Sequence, residues 1–133
     1  MDNQNDITGF IVLNGHECLY CTFDGTNKTM LYKFDANLPR KHGRGGPSTE
    51  RYKQLRAKRR QDYLERVHNN AIQLFMNDGE PNINCLVLCA SRCFLNDINE
   101  MCFYELSNVD IEIMCVSYGG SNGLDQAINE HTN

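Results

Sequence analysis

The fold is decided by residues 9–23, which read GFIVLNGHECLYCTF. Two apolar runs rich in β-branched and aromatic residues (9–13 and 18–23) flank an Asn-Gly dipeptide, and this arrangement is typical of a β-hairpin. A second turn, DGTNK, leads into the run TMLYKF. Residues 7–34 therefore predict a three-stranded antiparallel meander.

A long helix is predicted after the meander. Between residues 52 and 75, apolar residues recur at spacings of three and four, which predicts a helix over about residues 48–76. Its first half is basic and too polar for burial, whereas its second half has an apolar stripe that fits against a sheet. We therefore expect one end to be anchored and the other to be exposed.

Two further strands complete the predicted sheet. The run NCLVLCA (84–90) is continuously apolar, and DIEIMCVS (110–117) alternates. Short helices are expected over 91–106, and a final helix at LDQAINE. Residues 1–133 thus predict one α/β domain: a mixed, mostly antiparallel five-stranded sheet flanked by helices, with a long basic helix and a mobile Gly-rich loop at 38–48.

Composition and cysteine usage favour a cytoplasmic protein. The chain of 133 residues is 41% hydrophobic, no apolar run is long enough to span a membrane, and the polar N-terminus does not resemble a secretory signal. An odd number of cysteines, mostly within apolar runs, favours free thiols in a reducing compartment. They are Cys18, Cys21, Cys85, Cys89, Cys93, Cys102 and Cys115.

Charge is strongly segregated along the chain. Residues 40–60 contain nine cations and one acid, a net charge of +8, whereas the rest has four cations and sixteen acids, a net charge of −12. A solvated helix face is the simplest explanation of a charge run. Here the run continues into a Gly-rich loop, so we favour a polyanionic partner.

Two other motifs have features of a metal-binding or phosphate-binding site, but a structural role explains each of them better. Cys18 and Cys21 have the spacing of a zinc or redox pair, but within a strand residues i and i+3 face opposite sides of the sheet. The run GGSNG (119–123) could cradle a phosphate, yet it lacks the lysine of a P-loop, so a strand-to-helix turn is favoured. We expect neither a metal nor a cofactor.

The loop itself carries a family resemblance. LPRKHGRGGPS (38–48) resembles the tip of the middle domain of eukaryotic class-1 peptide chain release factors, whose pattern is LPKKHGRGGQS. GFIVLNG, KFDANLP, AIQLF, LVLCAS and VSYGGSNGLDQAI match that domain in the same order. The resemblance covers almost the whole chain and implies a role in translation termination.

The resemblance also implies site residues and partners. In this family the loop enters the peptidyl-transferase centre when a stop codon is read and triggers hydrolysis of peptidyl-tRNA. The implied partners are large-subunit ribosomal RNA, the peptidyl-tRNA acceptor end and the GTPase class-2 release factor, and a monomer is expected. The predicted RNA-binding residues are Arg40, Lys41, His42, Arg44, Arg51, Lys53, Arg56, Arg59 and Arg60.

The predicted catalytic tip is Gly45, Gly46 and Pro47, and it departs from the family at one position. Pro47 stands where the family has glutamine, whose backbone N–H and side-chain amide are thought to assist hydrolysis. Proline has neither group. Whether this chain promotes hydrolysis is therefore open, and we expect impaired release.

Two alternatives stay open. One is a non-catalytic ribosome-binding module of the Pelota type, used in rescue or as a decoy, whose members share the architecture without the glutamine motif. The nearly intact KHGRGG argues against it. The other is a cysteine-based metal or redox protein, which stoichiometric zinc would favour.

Overall fold

The computed structural model describes residues 6–36, 38, 49–101, 103–106, 108–117 and 119–132. Its strands are β1 (Thr8–Leu13), β2 (Glu17–Phe23), β3 (Lys28–Asp35), β4 (Met76–Asn77), β5 (Glu80–Pro81), β6 (Cys85–Ala90) and β7 (Asp110–Cys115). Its α-helices are α1 (Thr49–Phe75), α2 (Leu95–Asn99) and α3 (Gly120–Thr132). Short 3₁₀ turns lie at Arg92–Phe94 and Tyr104–Leu106.

The main sheet has the strand order β3-β2-β1-β6-β7. The predicted meander forms its antiparallel half, while β1–β6 and β6–β7 are parallel pairs. The side chain of Asn14 shapes the first hairpin, because its Oδ1 accepts the N–H groups of His16 and Glu17 at 2.8 and 2.9 Å. The predicted mixed five-stranded sheet in one α/β domain is confirmed.

Helices cover the sheet on both faces. Ile11 and Leu13 of β1 belong to the core beneath α1 and α2, whereas Phe10 and Val12 belong to the core beneath α3. β1 and β6 are central strands buried on both sides, which explains their continuous apolar sequences. None of the described helices is long and apolar enough to cross a membrane.

Two details differ from the sequence-based expectation. α3 begins at Gly120, so most of the run read as a turn belongs to the first turn of the helix. A short hairpin of two-residue strands, β4–β5, follows α1, and no strand is predicted there from the sequence. Gly79 supplies the positive φ of 81° that this hairpin needs.

Candidate nucleic-acid interface

The structure describes Leu38, at the start of the predicted loop, and the helix that follows the loop. Arg40, Lys41, His42, Arg44, Gly45, Gly46 and Pro47 lie outside the described residues. The other predicted RNA-binding residues, Arg51, Lys53, Arg56, Arg59 and Arg60, all lie on α1. The helix predicted at about 48–76 spans Thr49–Phe75, with its basic part in the first three turns.

A cationic cleft lies between Leu38 and α1, which precede and follow segment 39–48 in the chain. It has a volume of about 270 Å³ and is bounded on one side by Leu38, the last described residue before the segment. On the other side it is lined by Lys53, Arg56, Ala57 and Arg60 of α1. We call this feature the stem cleft.

The cations of the stem cleft lie on the inward stripe of α1. At 3.6 residues per turn, Lys53, Arg56 and Arg60 continue the stripe that further along contains Tyr63 and Val67. Those two residues are buried against the sheet, with exposures of 4% and 0%. The stripe therefore changes from apolar to cationic along its length. Arg56 and Arg60 are half-buried, whereas Lys53, in the first turns of the helix, is exposed.

Other cations point away from the stem cleft. Arg51, Lys58 and Arg59 are exposed, and the Nζ of Lys58 lies 3.6 Å from the carboxylate of Asp62 in the next turn. Such an exposed pair contributes little to stability. α1 thus presents two cationic surfaces, one facing solvent and one facing the cleft.

Arg60 fixes the position of the inward surface. Its Nη2 donates to the Asp97 carboxylate and to the Cys93 carbonyl, and its guanidinium carbon lies 4.1 Å from the centre of the Phe94 ring. Arginine often combines a bidentate or multiple hydrogen-bonding role with stacking on a ring. These contacts tie α1 to the 92–97 segment, so Arg60 has a positioning role as well as lining the cleft.

Two buried phenols anchor the second half of α1. The Tyr63 hydroxyl donates to the carbonyls of Asn14 and Glu17, 2.7 and 3.0 Å away, and the Tyr20 hydroxyl donates to the Val67 carbonyl at 2.8 Å. Burial raises the pKa of both phenols above its usual range. The basic turns are therefore carried by a helix that is firmly attached to the sheet.

Arg66 extends the basic surface and was not singled out from the sequence. Its guanidinium carbon lies 4.0 Å from the centre of the Phe34 ring, and its Nη2 donates to the Tyr32 hydroxyl at 3.3 Å. Tyr32 is 40% exposed. Arg66 lies two turns beyond Arg59 on the same helix face, so helical periodicity is the signal that could have found it.

Cys18, Cys21 and Cys89 are buried packing residues of the sheet, whereas Cys93 and Cys115 are exposed. Cys18 belongs to the core beneath α1 and Cys21 to the core beneath α3, as predicted for positions i and i+3 of a strand. Burial raises the pKa of Cys18 and of Cys89 to about 12. Within the described ranges, no three His, Cys, Asp or Glu side chains lie close enough together to hold a metal ion.

Side chains of the first hairpin occupy the space beside Gly119 and Gly120, where α3 begins. A Cβ at Gly119 would lie 1.9 Å from the Asn14 Nδ2, and one at Gly120 would lie 2.5 Å from a Glu17 carboxylate oxygen. Gly120 also has a φ of +58°, which favours glycine. The Glu17 carboxylate therefore lies beside Gly120, at the start of α3.

Solved structures with a similar fold include translation factors. An archaeal translation termination factor, aRF1, superposes with a TM-score of 0.77 over 98% of this chain and 36% of its own, at 15% identity. Yeast Dom34, described as a translation termination-like factor, gives a TM-score of 0.53 over 94% of this chain and 33% of its own, at 12% identity. The fold is that of a release-factor α/β domain.

Sequence comparison identifies the family. A family model described as eRF1 domain 2 matches residues 7–133. This chain is 43% identical over 122 residues to eukaryotic peptide chain release factor subunit 1 from Tetrahymena thermophila, and 38% identical over 127 residues to that from Didinium nasutum. It belongs to the eRF1 domain 2 family. Those matches cover 90% and 94% of this chain but only 28% and 29% of the relatives.

Proposed function

We propose that this chain is the domain of a translation termination factor that enters the peptidyl-transferase centre of a cytoplasmic ribosome. The observation that carries the proposal is the KHGRGG sequence, placed directly before a cationic helix in a domain of this family. Ribosomal RNA is a dense polyanion, and the loop and helix cations match it in charge. Gly45 and Gly46 can adopt backbone conformations closed to other residues, which suits a tip that enters a narrow pocket.

The proposed reaction is hydrolysis of the ester that links the peptide to the acceptor end of the tRNA. Water attacks the ester carbonyl, negative charge develops on its oxygen, and the tRNA hydroxyl leaves. A backbone N–H directed at that oxygen typically accounts for about 100- to 1000-fold in rate. Pro47 cannot donate one, so we propose that this form binds the ribosome and releases peptide poorly.

A hybrid release factor tests this proposal. The chain would replace the corresponding domain of the Tetrahymena factor, and single-turnover peptide release would be measured on stop-programmed ribosomes. We expect Pro47→Gln to raise the release rate by about 100-fold or more. Pro47→Ala restores the N–H alone, so it separates the backbone donor from the side-chain amide.

Two results would contradict parts of the proposal. If the proline form already releases peptide at the rate of the Tetrahymena factor, the role given to the N–H is wrong. If Pro47→Gln stays inactive while the hybrid still binds ribosomes, a non-catalytic module of the Pelota type becomes the better assignment. The missing glutamine is the observation that favours that alternative. Ribosomal RNA is the proposed partner in either case, whereas the peptidyl-tRNA acceptor end and the class-2 GTPase factor are proposed for the termination role.

A further inference from the structure

We infer that the stem cleft is a phosphate-binding site for an RNA strand, and that an RNA phosphate held there joins the base of the loop to α1. The inference rests on the proposed function for its choice of RNA as partner. It adds a discrete binding site to what would otherwise be a diffuse basic surface. The phosphate is proposed to lie between Leu38 and α1, within reach of Lys53, Arg56 and Arg60.

The cleft has the chemistry of an anion site. The described residues that line it include three cations and no acid. Two of the cations are guanidinium groups, whose planar donors suit phosphate oxygens. Asp97 approaches the site only through its pair with Arg60, which holds that guanidinium in place. Arg56 is partly buried, and no acid among the described residues forms an ion pair with it.

The position of these cations also needs an explanation. Arg60 contacts the buried Phe94 ring, and like charges four residues apart on a helix destabilise it. Arg56 and Arg60 are spaced in this way, and Lys53 lies three residues before Arg56. An anion in the cleft would offset this repulsion.

The location of the stem cleft links phosphate binding to the predicted loop. Leu38 precedes segment 39–48 and α1 follows it, and both line the cleft. A phosphate bound by α1 against Leu38 would fix the distance between Leu38 and the helix. RNA binding at the base would then be coupled to placement of the tip.

A variant that fills the cleft without changing its charge provides the sharpest test. Ala57 lines the cleft, and Ala57→Leu adds volume there while keeping a good helix former. Gln54→Leu places the same side chain at an exposed position of α1 outside the cleft lining and is the matched control. Fluorescence anisotropy of the 133-residue chain would be measured with a labelled single-stranded RNA octamer and with an RNA hairpin.

We expect Ala57→Leu to weaken RNA binding at least 10-fold and Gln54→Leu to leave it unchanged. A loss confined to the octamer or to the hairpin would assign the phosphate to a single strand or to a duplex. Equal affinities for the two leucine variants would overturn the inference and leave only a diffuse surface. Thermal melting followed by circular dichroism would show that each variant is folded.

A charge variant keeps the inference testable if Ala57→Leu does not fold. Arg56→Gln should reduce the slope of log affinity against log salt by about 0.7 for single-stranded RNA, the value for one phosphate contact. Lys58→Gln removes a charge already paired with Asp62 and should change the slope less. Equal slope changes would contradict a site at Arg56.

Failure of this inference is distinguishable from failure of the proposed function. If Ala57→Leu binds RNA normally while the Pro47→Gln hybrid releases peptide, only the stem cleft assignment is wrong. If the hybrid never releases peptide but Ala57→Leu still weakens RNA binding, the cleft stands and the termination role is wrong.

Discussion

Cys18 and Cys89 are held as neutral thiols by the apolar cores on opposite faces of the sheet. Burial raises the pKa of each to about 12, because a thiolate would lose its hydration there. Cys115, at the exposed end of the edge strand β7, has no such environment. A thiolate is the reactive form of cysteine, so burial makes Cys18 and Cys89 poor nucleophiles and poor metal ligands near neutral pH.

The raised thiol pKa values predict a loss of stability at alkaline pH. The unfolded chain releases these protons near pH 9, whereas the folded chain keeps them until about pH 12. Since the unfolded state then binds fewer protons, the free energy of unfolding falls as pH rises between these values. Cys18→Ala should reduce the fall by up to about 1.4 kcal/mol per pH unit, measured by urea unfolding at several pH values.

Cys115→Ala is the matched control for that experiment. It removes an exposed thiol of the same sheet, so the two variants differ in the burial of the thiol that is lost, and the larger change in slope is expected for Cys18→Ala. The slope against pH is the relevant quantity, because a cavity at Cys18 lowers stability at every pH without changing the slope. Identical slopes for Cys18→Ala and the unsubstituted chain would show that the thiol is not held neutral by burial.

At the scale of secondary-structure elements, one continuous stripe of α1 has two parts. It is apolar where the helix packs against the sheet and cationic in the first turns of the helix. Tyr63 and Val67 bury this stripe against the sheet, and Arg60 ends the buried part by pairing with Asp97 and stacking on Phe94. Arg60 is thus the point where the apolar stripe becomes cationic. The attachment of the basic turns to the domain depends on it.

We expect Asp97→Asn to lower the free energy of unfolding by about 0.5–1 kcal/mol. The substitution removes the charge of a partly exposed ion pair, and such pairs contribute in this range. Asp62→Asn is the control, because Asp62 pairs with Lys58 at a more exposed site and should cost almost nothing. Urea unfolding measures both, and an equal cost for the two substitutions would argue against an anchoring role for Arg60.

Most helices and strands were predictable from local sequence patterns, because these patterns depend on residues that are close together in the chain. The Asn-Gly hairpin, the apolar runs of β1 and β6 and the periodicity of α1 each depend on contacts between nearby positions. The parallel pairing of β1 with β6 joins residues 77 positions apart, such as Thr8 and Cys85, and no local pattern specifies such a partner. The start of α3 was misplaced because Gly119 and Gly120 were read as turn residues, whereas they accommodate Asn14 and Glu17 from the first hairpin.

The candidate site was predictable in part for a similar reason. The loop motif and the basic helix are visible in the sequence, and so is the number of cations. The division of those cations between an outer face and the stem cleft depends on where Leu38 passes α1, which is a tertiary contact. The stacking of Arg66 on Phe34 joins α1 to β3, and this contact between distant residues cannot be predicted from a local sequence pattern either.

For the whole molecule, the separation of charge defines how it would approach a ribosome. Residues 40–60 carry +8 and the remainder carries −12, so a polyanion attracts one part of the domain and repels the rest. Such a distribution orients the molecule before any contact forms. Specific positioning is then left to shorter-range contacts, among them those proposed for the stem cleft.

This distribution predicts the salt dependence of attachment to the large ribosomal subunit. In the hybrid factor, neutralising Arg40, Lys41 and Arg44 with glutamine should weaken binding and reduce the slope of log affinity against log salt by about 2–3, since each phosphate contact contributes about 0.7–0.9. Cosedimentation with large subunits across a salt series measures the slope. Neutralising Lys28, Lys33 and Arg92, three exposed cations outside residues 40–60, removes the same charge and is the control. If both triple variants lower the slope equally, net charge alone drives attachment and the loop makes no phosphate contacts of its own.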